Sequence, residues 1–543
     1  MKITKLFLLA SIAVIAFASC QKSSQNLTNV IPSDAMYVAH IDVEQLVKKS
    51  NYDVFQNTTV ARMVNLGKGM LGKEEAVDLL DAFTKDANSL GLNIKGDCFI
   101  YYDSVSIGIV MGVNNAEKVK NTFISFSVVE EGEVTFENGI YSFSESQVEV
   151  SWTKDKFLML MPQINFYNYK NDDEVDWKAL ASKLLLQGEK ESVNSNPAFA
   201  KFMADKKDIS IFYTYSSKYF DFVLENISRM ELPEETMAEL KVWNGISGAS
   251  YVSFERGEIK AEQKVYYPNA ESEKRIGEIT TLLLGELKGE QLTFVPSTAL
   301  FAFSANIKGE GVYGYLSQLG LASLIEENDR EDIFKTVINE ISGDVTFALN
   351  EIAKVKKTYA YGDRSVYEYD STEPVFTVFV ETKDGTKALN FVKNKFPNMQ
   401  DDLTEIDAET FSMQISGIEQ YFGVQGNTVF VTNSKSVFDN IISKSGNPTD
   451  LSKSVNGKVA VAGGDITSLK KIVLDEMGRN EKEVAIASDF IDLFGTYSYT
   501  IENNTNAPGE AKLEMRDKSK NSLAILCTFL DKTLTTLNDA IGF

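Results

Sequence analysis

The chain has 543 residues and a formal net charge of −23, and 43% of its residues are hydrophobic, including 34 Phe. This length exceeds one ordinary hydrophobic core, so two to four domains are expected, and the apolar content excludes a disordered polymer. The acidic charge repels phosphate backbones, which argues against nucleic acid as a partner. The usual zinc sites need several Cys or His ligands at short spacing, which the single histidine and the scattered cysteines do not supply.

The N-terminus has the three zones of a secretory leader. Two lysines precede the mainly apolar run Leu6–Phe17, which is too short for a permanent membrane-spanning helix. Two small residues then precede Cys20, an arrangement that resembles the bacterial lipobox. The order predicts a lipoprotein signal peptide over residues 1–19, lipidation of Cys20 and a tether over residues 20–28. The alternative is an ordinary secretory signal whose cleavage site neighbours a cysteine.

The residues after Cys20 indicate where the anchor lies. Gln21 stands where an Asp would resemble an inner-membrane retention signal. Residues 21–26 lack the acidic run that resembles a surface-export tag of Bacteroidetes lipoproteins. We therefore expect a lipid anchor in the outer membrane, with the protein facing the periplasm and held by the membrane without crossing it.

Downstream, the chain repeats itself. Val30–Val38 and Phe294–Ala302 share a proline before an extended apolar run, which suits the start of a strand. Similar helices and strands follow each copy in the same order. The pattern predicts an internal duplication with a first half over residues 29–268, a connecting helical segment over 269–290 and a second half over 291–543.

Within each half, the predicted elements open in the order strand, helix, strand, strand, helix, strand. This is the split β-α-β order of ferredoxin-like units, and alternating apolar and polar strands follow it. Gly96-Asp97 in the first half and Gly343-Asp344 in the second open the second strand. The sequence therefore predicts an α+β fold of duplicated units, each with an antiparallel sheet and helices on one face.

A family resemblance rests on two of these features. The lipobox is followed by the strand start Val30-Ile31-Pro32-Ser33-Asp34-Ala35, in a two-part chain of this length. This combination resembles an uncharacterised family of Bacteroidetes lipoproteins that carries a domain of unknown function. The resemblance implies an envelope location and no established activity, so it transfers no functional residue to this chain.

No catalytic constellation stands out in the sequence. The lone histidine, His40, lies in a predicted strand, where a structural role is favoured over catalysis or metal binding. Asp172–Asp176 reads as a solvated acidic turn or as a cation site. Cys98 and Cys527 read as unpaired small hydrophobes or as a disulfide. With no nucleophile elbow, phosphate loop or dinucleotide fingerprint, the sequence predicts no catalytic residue, no cofactor and no metal site.

The best interaction candidate is an insertion in the second half, around the turn-like Gly362–Ser365. It contains four tyrosines, Tyr359, Tyr361, Tyr367 and Tyr369. Their alternation predicts a projecting hairpin with the tyrosines on one face, where they suit sugar rings or protein partners. The alternative is a hairpin that packs its tyrosines on its own body. Phe166, Tyr167 and Tyr169 form a similar, smaller patch.

These features together predict a lipid-anchored envelope protein that is not an enzyme and that binds or scaffolds a partner. The partner is expected to be a glycan or an envelope protein. Two alternatives stay open. A carboxylate-dependent glycan hydrolase would need two facing carboxylates, which 77 acidic residues do not single out. A subunit of an envelope assembly would copurify with its partners.

Overall fold

The computed structural model describes residues 27–51, 77–79, 81–82, 86–94, 96–145, 147–162, 175–214, 234–322, 333–361, 365–395, 403–415, 417–476 and 481–541. Their contacts divide into two units. The first takes its described residues from Met1–Asn226, Asn244–Pro268 and Asp517–Phe543, and the second from Ile227–Trp243 and Asn269–Arg516.

The units differ from the predicted halves at two places. The described part of Ile227–Trp243 groups with the second unit, and the C-terminal segment from Asp517 groups with the first. The C-terminal helix Ser522–Ile541 contacts the helix Val43–Ser50 and the strand Ser247–Glu255, which explains this grouping.

The strands of the first unit are β1 (Tyr37–Asp42), β2 (Leu92–Asn93), β3 (Asp97–Tyr102), β4 (Ser106–Val113), β5 (Thr135–Glu137), β6 (Ile140–Glu145), β7 (Val148–Trp152), β8 (Lys156–Pro162), β9 (Ile209–Thr214), β10 (Ser247–Glu255) and β11 (Glu258–Tyr266). They pair antiparallel in the order β5-β6-β7-β8-β4-β3-β1-β9-β10-β11, and β2 pairs with the end of β4. Asn138 and Gly139 both have positive φ between β5 and β6, as a two-residue hairpin turn requires.

The strands of the second unit are β12 (Phe301–Asn306), β13 (Ile341–Tyr361), β14 (Ser365–Thr382), β15 (Thr404–Glu405), β16 (Thr410–Ile415), β17 (Ile418–Gln425), β18 (Thr428–Thr432), β19 (Lys458–Asp465), β20 (Phe494–Glu502) and β21 (Gly509–Met515). They pair antiparallel in the order β15-β16-β17-β18-β14-β13-β12-β19-β20-β21.

The helices, in chain order, are α1 (Val43–Ser50), α2 (Ala116–Ser125), α3 (Trp177–Leu186), α4 (Pro197–Ala204), α5 (Glu234–Leu240), α6 (Ala270–Leu283), α7 (Gly309–Gln318), α8 (Ile333–Glu340), α9 (Gly385–Lys395), α10 (Lys435–Ile442), α11 (Asp450–Lys453), α12 (Leu469–Glu476), α13 (Glu481–Ile491) and α14 (Ser522–Ile541). Short polar side chains start several of them, because their oxygens accept hydrogen bonds from free backbone N–H groups. Asn115 caps α2, Asp176 caps α3 and Asn269 caps α6.

Helices cover both faces of the first sheet. On β8, Phe157 and Met159 belong to a core cluster with α2, whereas Leu158 and Leu160 belong to a second cluster with α3 and α4. Successive strand residues point to opposite faces, so consecutive buried residues require cover on both sides. The prediction of helices on one face is therefore wrong.

The second unit shows the same two-sided cover. On β18, Val429 packs against the cluster that includes Leu389 of α9, whereas its neighbour Phe430 packs with Phe438 of α10. Each unit therefore is an α+β layer structure in which the antiparallel sheet lies between helices at these strands.

The predicted ferredoxin-like order is not found in the described strands. The chain order strand, helix, strand, strand, helix is present, but β1 pairs directly and antiparallel with β3, the next long strand. A split β-α-β unit places another strand between these two. The order of elements along a chain does not specify which strands pair, and the hydrophobic pattern of β1 and β3 suits either neighbour.

Among the helices of the described residues, none combines the length and the apolarity that crossing a membrane requires.

Candidate functional site

The hairpin of β13 and β14 extends beyond the rest of its sheet. Residues 344–349 pair with β12 and residues 377–381 pair with β18, but the described residues between Glu351 and Val375 pair only with each other. We call residues 351–375 the arm. At about 3.3 Å per residue, its first strand is about 30 Å long. The hairpin predicted from the sequence is therefore present.

The register of the arm relates the four tyrosine positions. Tyr359 pairs with Tyr367, Lys357 pairs with Tyr369, and Tyr361 pairs with Ser365. Opposed residues and every second residue share one face of a ladder, so the four tyrosines occupy positions on one face, which we call the tyrosine face.

Among the four, the Tyr369 side chain is described, and it is 50% exposed. The side chains of Tyr359, Tyr361 and Tyr367 lie outside the described part of the structure. The exposure of Tyr369 argues against the alternative in which this tyrosine packs on the body of the protein.

The opposite face of the arm is charged. Lys356 pairs with Asp370 in the register, and its Nζ lies 4.0 Å from Glu368 Oε2. The side chains of Lys356 and Glu368 are 76% and 67% exposed. Solvated charges of both signs keep this face in water, so the two faces of the arm offer different chemistry.

An ion pair on the tyrosine face marks the base of the arm. Lys357 Nζ lies 2.5 Å from Glu373 Oε1, and Ser371 Oγ donates to the same oxygen at 2.6 Å. The hydrogen bonds from Lys357 and Ser371 lower the pKa of the Glu373 carboxyl, so it stays ionised. Sequence reasoning missed this cluster, although Lys357 stands two positions before Tyr359.

The arm has no core of its own among the described side chains, because none between Glu351 and Val375 is buried. A two-stranded hairpin without a buried face is at best marginally stable in water. The first unit closes the corresponding hairpin with only Asp103–Ser106, where Asp103 Oδ1 accepts from the N–H groups of Val105 and Ser106. The sheet therefore does not require the arm, which makes the arm the best candidate for a contact surface.

His40 is hydrogen-bonded to a carboxylate on the neighbouring strand. Its ring is fully buried on β1, and His40 Nε2 lies 2.8 Å from Asp97 Oδ1, which also accepts from Lys206 Nζ at 2.9 Å. Burial acts to raise the pKa of Asp97, but hydrogen bonds from His40 and Lys206 outweigh it and lower the pKa to about 2. A general base needs reach to a substrate proton, and the buried ring offers none, so this geometry favours the structural interpretation.

The remaining candidates carry little chemistry. Cys98 and Cys527 are both free thiols, and burial raises the pKa of Cys98 to about 12, far from a reactive thiolate. Asp176, the last residue of the acidic cluster, caps α3. Within the described ranges, no group of three or more His, Cys, Asp or Glu side chains is arranged to hold a metal ion.

Some predicted sites fall outside the described residues. These are the lipidation site Cys20, the aromatic patch Phe166, Tyr167 and Tyr169, and residues 172–174 of the acidic cluster.

Comparison with protein families adds one assignment. A family model described as a domain of unknown function, DUF4836, matches residues 27–523. The chain belongs to the DUF4836 family. No curated protein and no solved structure matches the chain. The match spans the arm, His40 with its neighbours Asp97 and Lys206, and residues of both units. These features therefore lie within the DUF4836 domain, whereas the predicted leader precedes it.

Proposed function

We propose that this DUF4836 protein is a lipid-anchored protein of the outer membrane, facing the periplasm, that binds a glycan chain through the tyrosine face of the arm and is not an enzyme. The observation that carries the proposal is the arm itself. It extends about 30 Å beyond its neighbouring strands, and its described side chains include no buried residue. Rigid, broad tyrosines with polar tips suit flat sugar rings.

The location rests on the leader. The apolar run before Cys20, the small residues beside it and Gln21 after it support an outer-membrane anchor. Metabolic labelling with an alkyne fatty acid tests the anchor. Label on the wild type and none on Cys20→Ser is the expected result, and equal labelling of both would contradict it.

The proposal includes an internal duplication. It is supported by the identical strand orders of the two units and by matching registers, since Asp42 pairs with Asp97 as Asn306 pairs with Asp344. The arm lies at a hairpin that the first unit closes with four residues. In this view, the first copy kept the compact turn and the second acquired the contact surface.

A glycan array tests the binding function. The mature chain, produced without its leader, is compared with a variant in which the tyrosines become alanine, Tyr359→Ala, Tyr361→Ala, Tyr367→Ala and Tyr369→Ala. A matched control changes four charged residues of the opposite face, Lys354→Ala, Lys356→Ala, Glu368→Ala and Asp370→Ala. We expect the wild type and the control to bind, and the tyrosine variant to bind at least about tenfold more weakly.

Other outcomes have defined meanings. No binding by the wild type rejects the glycan proposal, and arm-dependent copurification with an envelope protein would then support the scaffolding function. Equal losses in both variants reject the tyrosine face as the site. The bound glycans are also assayed for new reducing ends. Their appearance would contradict a non-enzymatic function and support the hydrolase.

A further inference from the structure

We infer that the second unit contains a binding site for a small, uncharged amphipathic molecule, in a cleft separate from the arm. The cleft has a volume of about 620 Å³ and lies between α8, α9 and the sheet strands β14 and β18. This volume is within the range of about 300–1,000 Å³ that is typical of small-molecule sites. The inference does not rest on the glycan-binding function of the arm.

The inner wall of the cleft is apolar. Val337 and Ile341 contribute from the α8 side, Val380 and Val429 from the sheet, and Phe391 from α9. Close packing is the normal state of protein interiors, and an unfilled apolar wall loses dispersion contacts. An apolar ligand body would restore those contacts.

The first unit fills the corresponding space with large side chains. On its sheet, Phe157 pairs with Met111 on β4 and with Trp152 on β7. Phe157 and Trp152 are 1% and 0% exposed, and both belong to the core cluster beneath α2.

The second unit has smaller residues at the same places in its strand order. Val429 pairs with Val380 on β14 and with Val424 on β17, so three valines stand where the first unit has Phe157, Met111 and Trp152. Of these three valines, Val380 and Val429 line the cleft, so one aromatic ring and one thioether of the first unit are absent from its wall.

The helix above the cleft shows the same reduction. Asn115 caps α2 by accepting from Lys118 N, and Asp384 accepts from Lys387 N at the start of α9, again three residues on. Counted from these caps, the buried Val119 of α2 corresponds to Ala388 of α9, which lines the cleft. Val380 and Val429 of the strands and Ala388 of the helix therefore all border the cleft.

The rim of the cleft indicates the chemistry of the ligand's head group. Lys387 Nζ is already paired with Glu340 Oε1 at 2.6 Å, and Asp384 is engaged at the start of α9. The side chains of Thr336, Asn390 and Asn394 form no hydrogen bond within the described part of the chain. Amide and hydroxyl groups are thus available while the charges are committed, which favours hydroxyls or amides over a charged head group.

Fluorescence titration with the uncharged probe N-phenyl-1-naphthylamine tests the site. The mature chain is compared with two cleft-filling variants, Ala388→Phe and Val429→Phe, the second of which introduces the residue of the first unit. Ala200→Phe, at an exposed alanine of α4, is the matched control. We expect saturable binding to the wild type and to the control, and at least about tenfold weaker binding to each filled variant.

Competition then tests the head group. Below their aggregation concentrations, 1-monolauroylglycerol, laurate and dodecyltrimethylammonium compete for the bound probe. We expect the uncharged glyceride to displace it at concentrations at least about tenfold lower than either ion. Equal displacement by an ion overturns the assignment of the head group.

Two results overturn the site itself: no saturable binding to the wild type, or unchanged binding in both filled variants. Thermal unfolding of each variant shows whether it is folded, and the two filled variants alter different elements, so misfolding of one leaves the other as a test. A chain whose arm is replaced by a short turn should bind the probe as the wild type does, which separates this site from the arm.

Discussion

The turn Asp103–Ser106 connects β3 and β4, and the arm connects β13 and β14. The two pairs of strands occupy the same positions in the strand orders of their sheets. The turn is closed by three hydrogen bonds to the Asp103 carboxylate, from two backbone N–H groups and from Ser106 Oγ. The arm carries two long strands and an exposed face instead. A hairpin connection of this sheet needs few residues, so residues beyond that number are free to serve a contact with something else.

The space between helix α2 and its sheet differs from the space between helix α9 and its sheet. Here the first unit has the larger side chains, whereas in the hairpin connection the second unit has the additional residues. Beneath α2, aromatic side chains such as Phe123, Trp152 and Phe157 form a filled core. Beneath α9, the cluster contains the buried residues Leu389, Phe411 and Val424, and a cleft lies beside it. At this place the first unit has a filled core and the second unit has an open cleft, a difference that mutations can test.

The largest expected effect is at the filled core. Trp152→Ala should reduce the free energy of unfolding by about 3–5 kcal/mol, because it leaves a large cavity among rigid rings. Val424→Ala, at the same place in the second unit, should cost about 1–2 kcal/mol. Urea denaturation followed by circular dichroism measures both. Equal losses would show that the second unit is packed as tightly as the first.

The next effect concerns Asp97. Its folded-state pKa of about 2 is below the usual value near 4, so the ionised carboxylate stabilises the fold above about pH 4, and this contribution is lost as the pH falls through about 2. Asp97→Asn should therefore reduce the free energy of unfolding by about 2 kcal/mol at neutral pH. Denaturation from about pH 6 to 2 should show the difference from wild type shrinking below about pH 4.

A matched substitution separates this effect from general charge loss. Asp450 has a 99% exposed side chain, so Asp450→Asn removes the same charge and should reduce the free energy of unfolding at neutral pH far less than Asp97→Asn does. A pH-independent loss in Asp97→Asn would mean that the Asp97 contacts act through shape and not through charge.

Removal of the arm should have a smaller effect on stability. In this variant, residues 351–375 are replaced with Ser-Val-Ser. Asn350 then takes the position of Asp103, and the three new residues repeat Ser104, Val105 and Ser106 of the first unit's turn. Since no buried described side chain is removed, the free energy of unfolding should change by less than about 1 kcal/mol, while glycan binding is lost. A large destabilisation would show that the arm is structural.

The smallest effect is expected within the arm. Lys357→Met removes the ion pair with Glu373, in which the two side chains are 20% and 21% exposed. Because the arm contains no buried described side chain, the loss should affect the arm more than global stability. We expect faster amide hydrogen exchange in the arm and an unchanged global unfolding transition. Lys354→Met, on the opposite face, is the control and should leave exchange near Glu373 unchanged.

Local features were predictable because they depend on near neighbours. The alternation of Tyr359, Tyr361, Tyr367 and Tyr369 around a turn predicted the hairpin of β13 and β14, which is present. The helical segment predicted over residues 269–290 contains α6 (Ala270–Leu283), capped by Asn269. Turn residues, strand alternation and helix caps act over a few residues, so they are readable from the sequence.

Features that join distant residues were not predictable in the same way. The sequence predicted helices on one face of each sheet, and it did not show that α2 lies on one face of the first sheet and α3 on the other. It also did not reveal the cleft, because Val380, Ala388 and Val429 line one cleft only after the fold brings β14, α9 and β18 together.

By itself, the sequence determined the acidic charge, the single histidine and the arm's alternating tyrosines, and it predicted the leader. Only the tertiary structure decided which strands pair, which faces the helices cover and where a space stays open. The physical reason is range. Charge, capping and alternation are properties of a residue and its near neighbours, whereas pairing and packing depend on the summed volumes of side chains far apart in the chain.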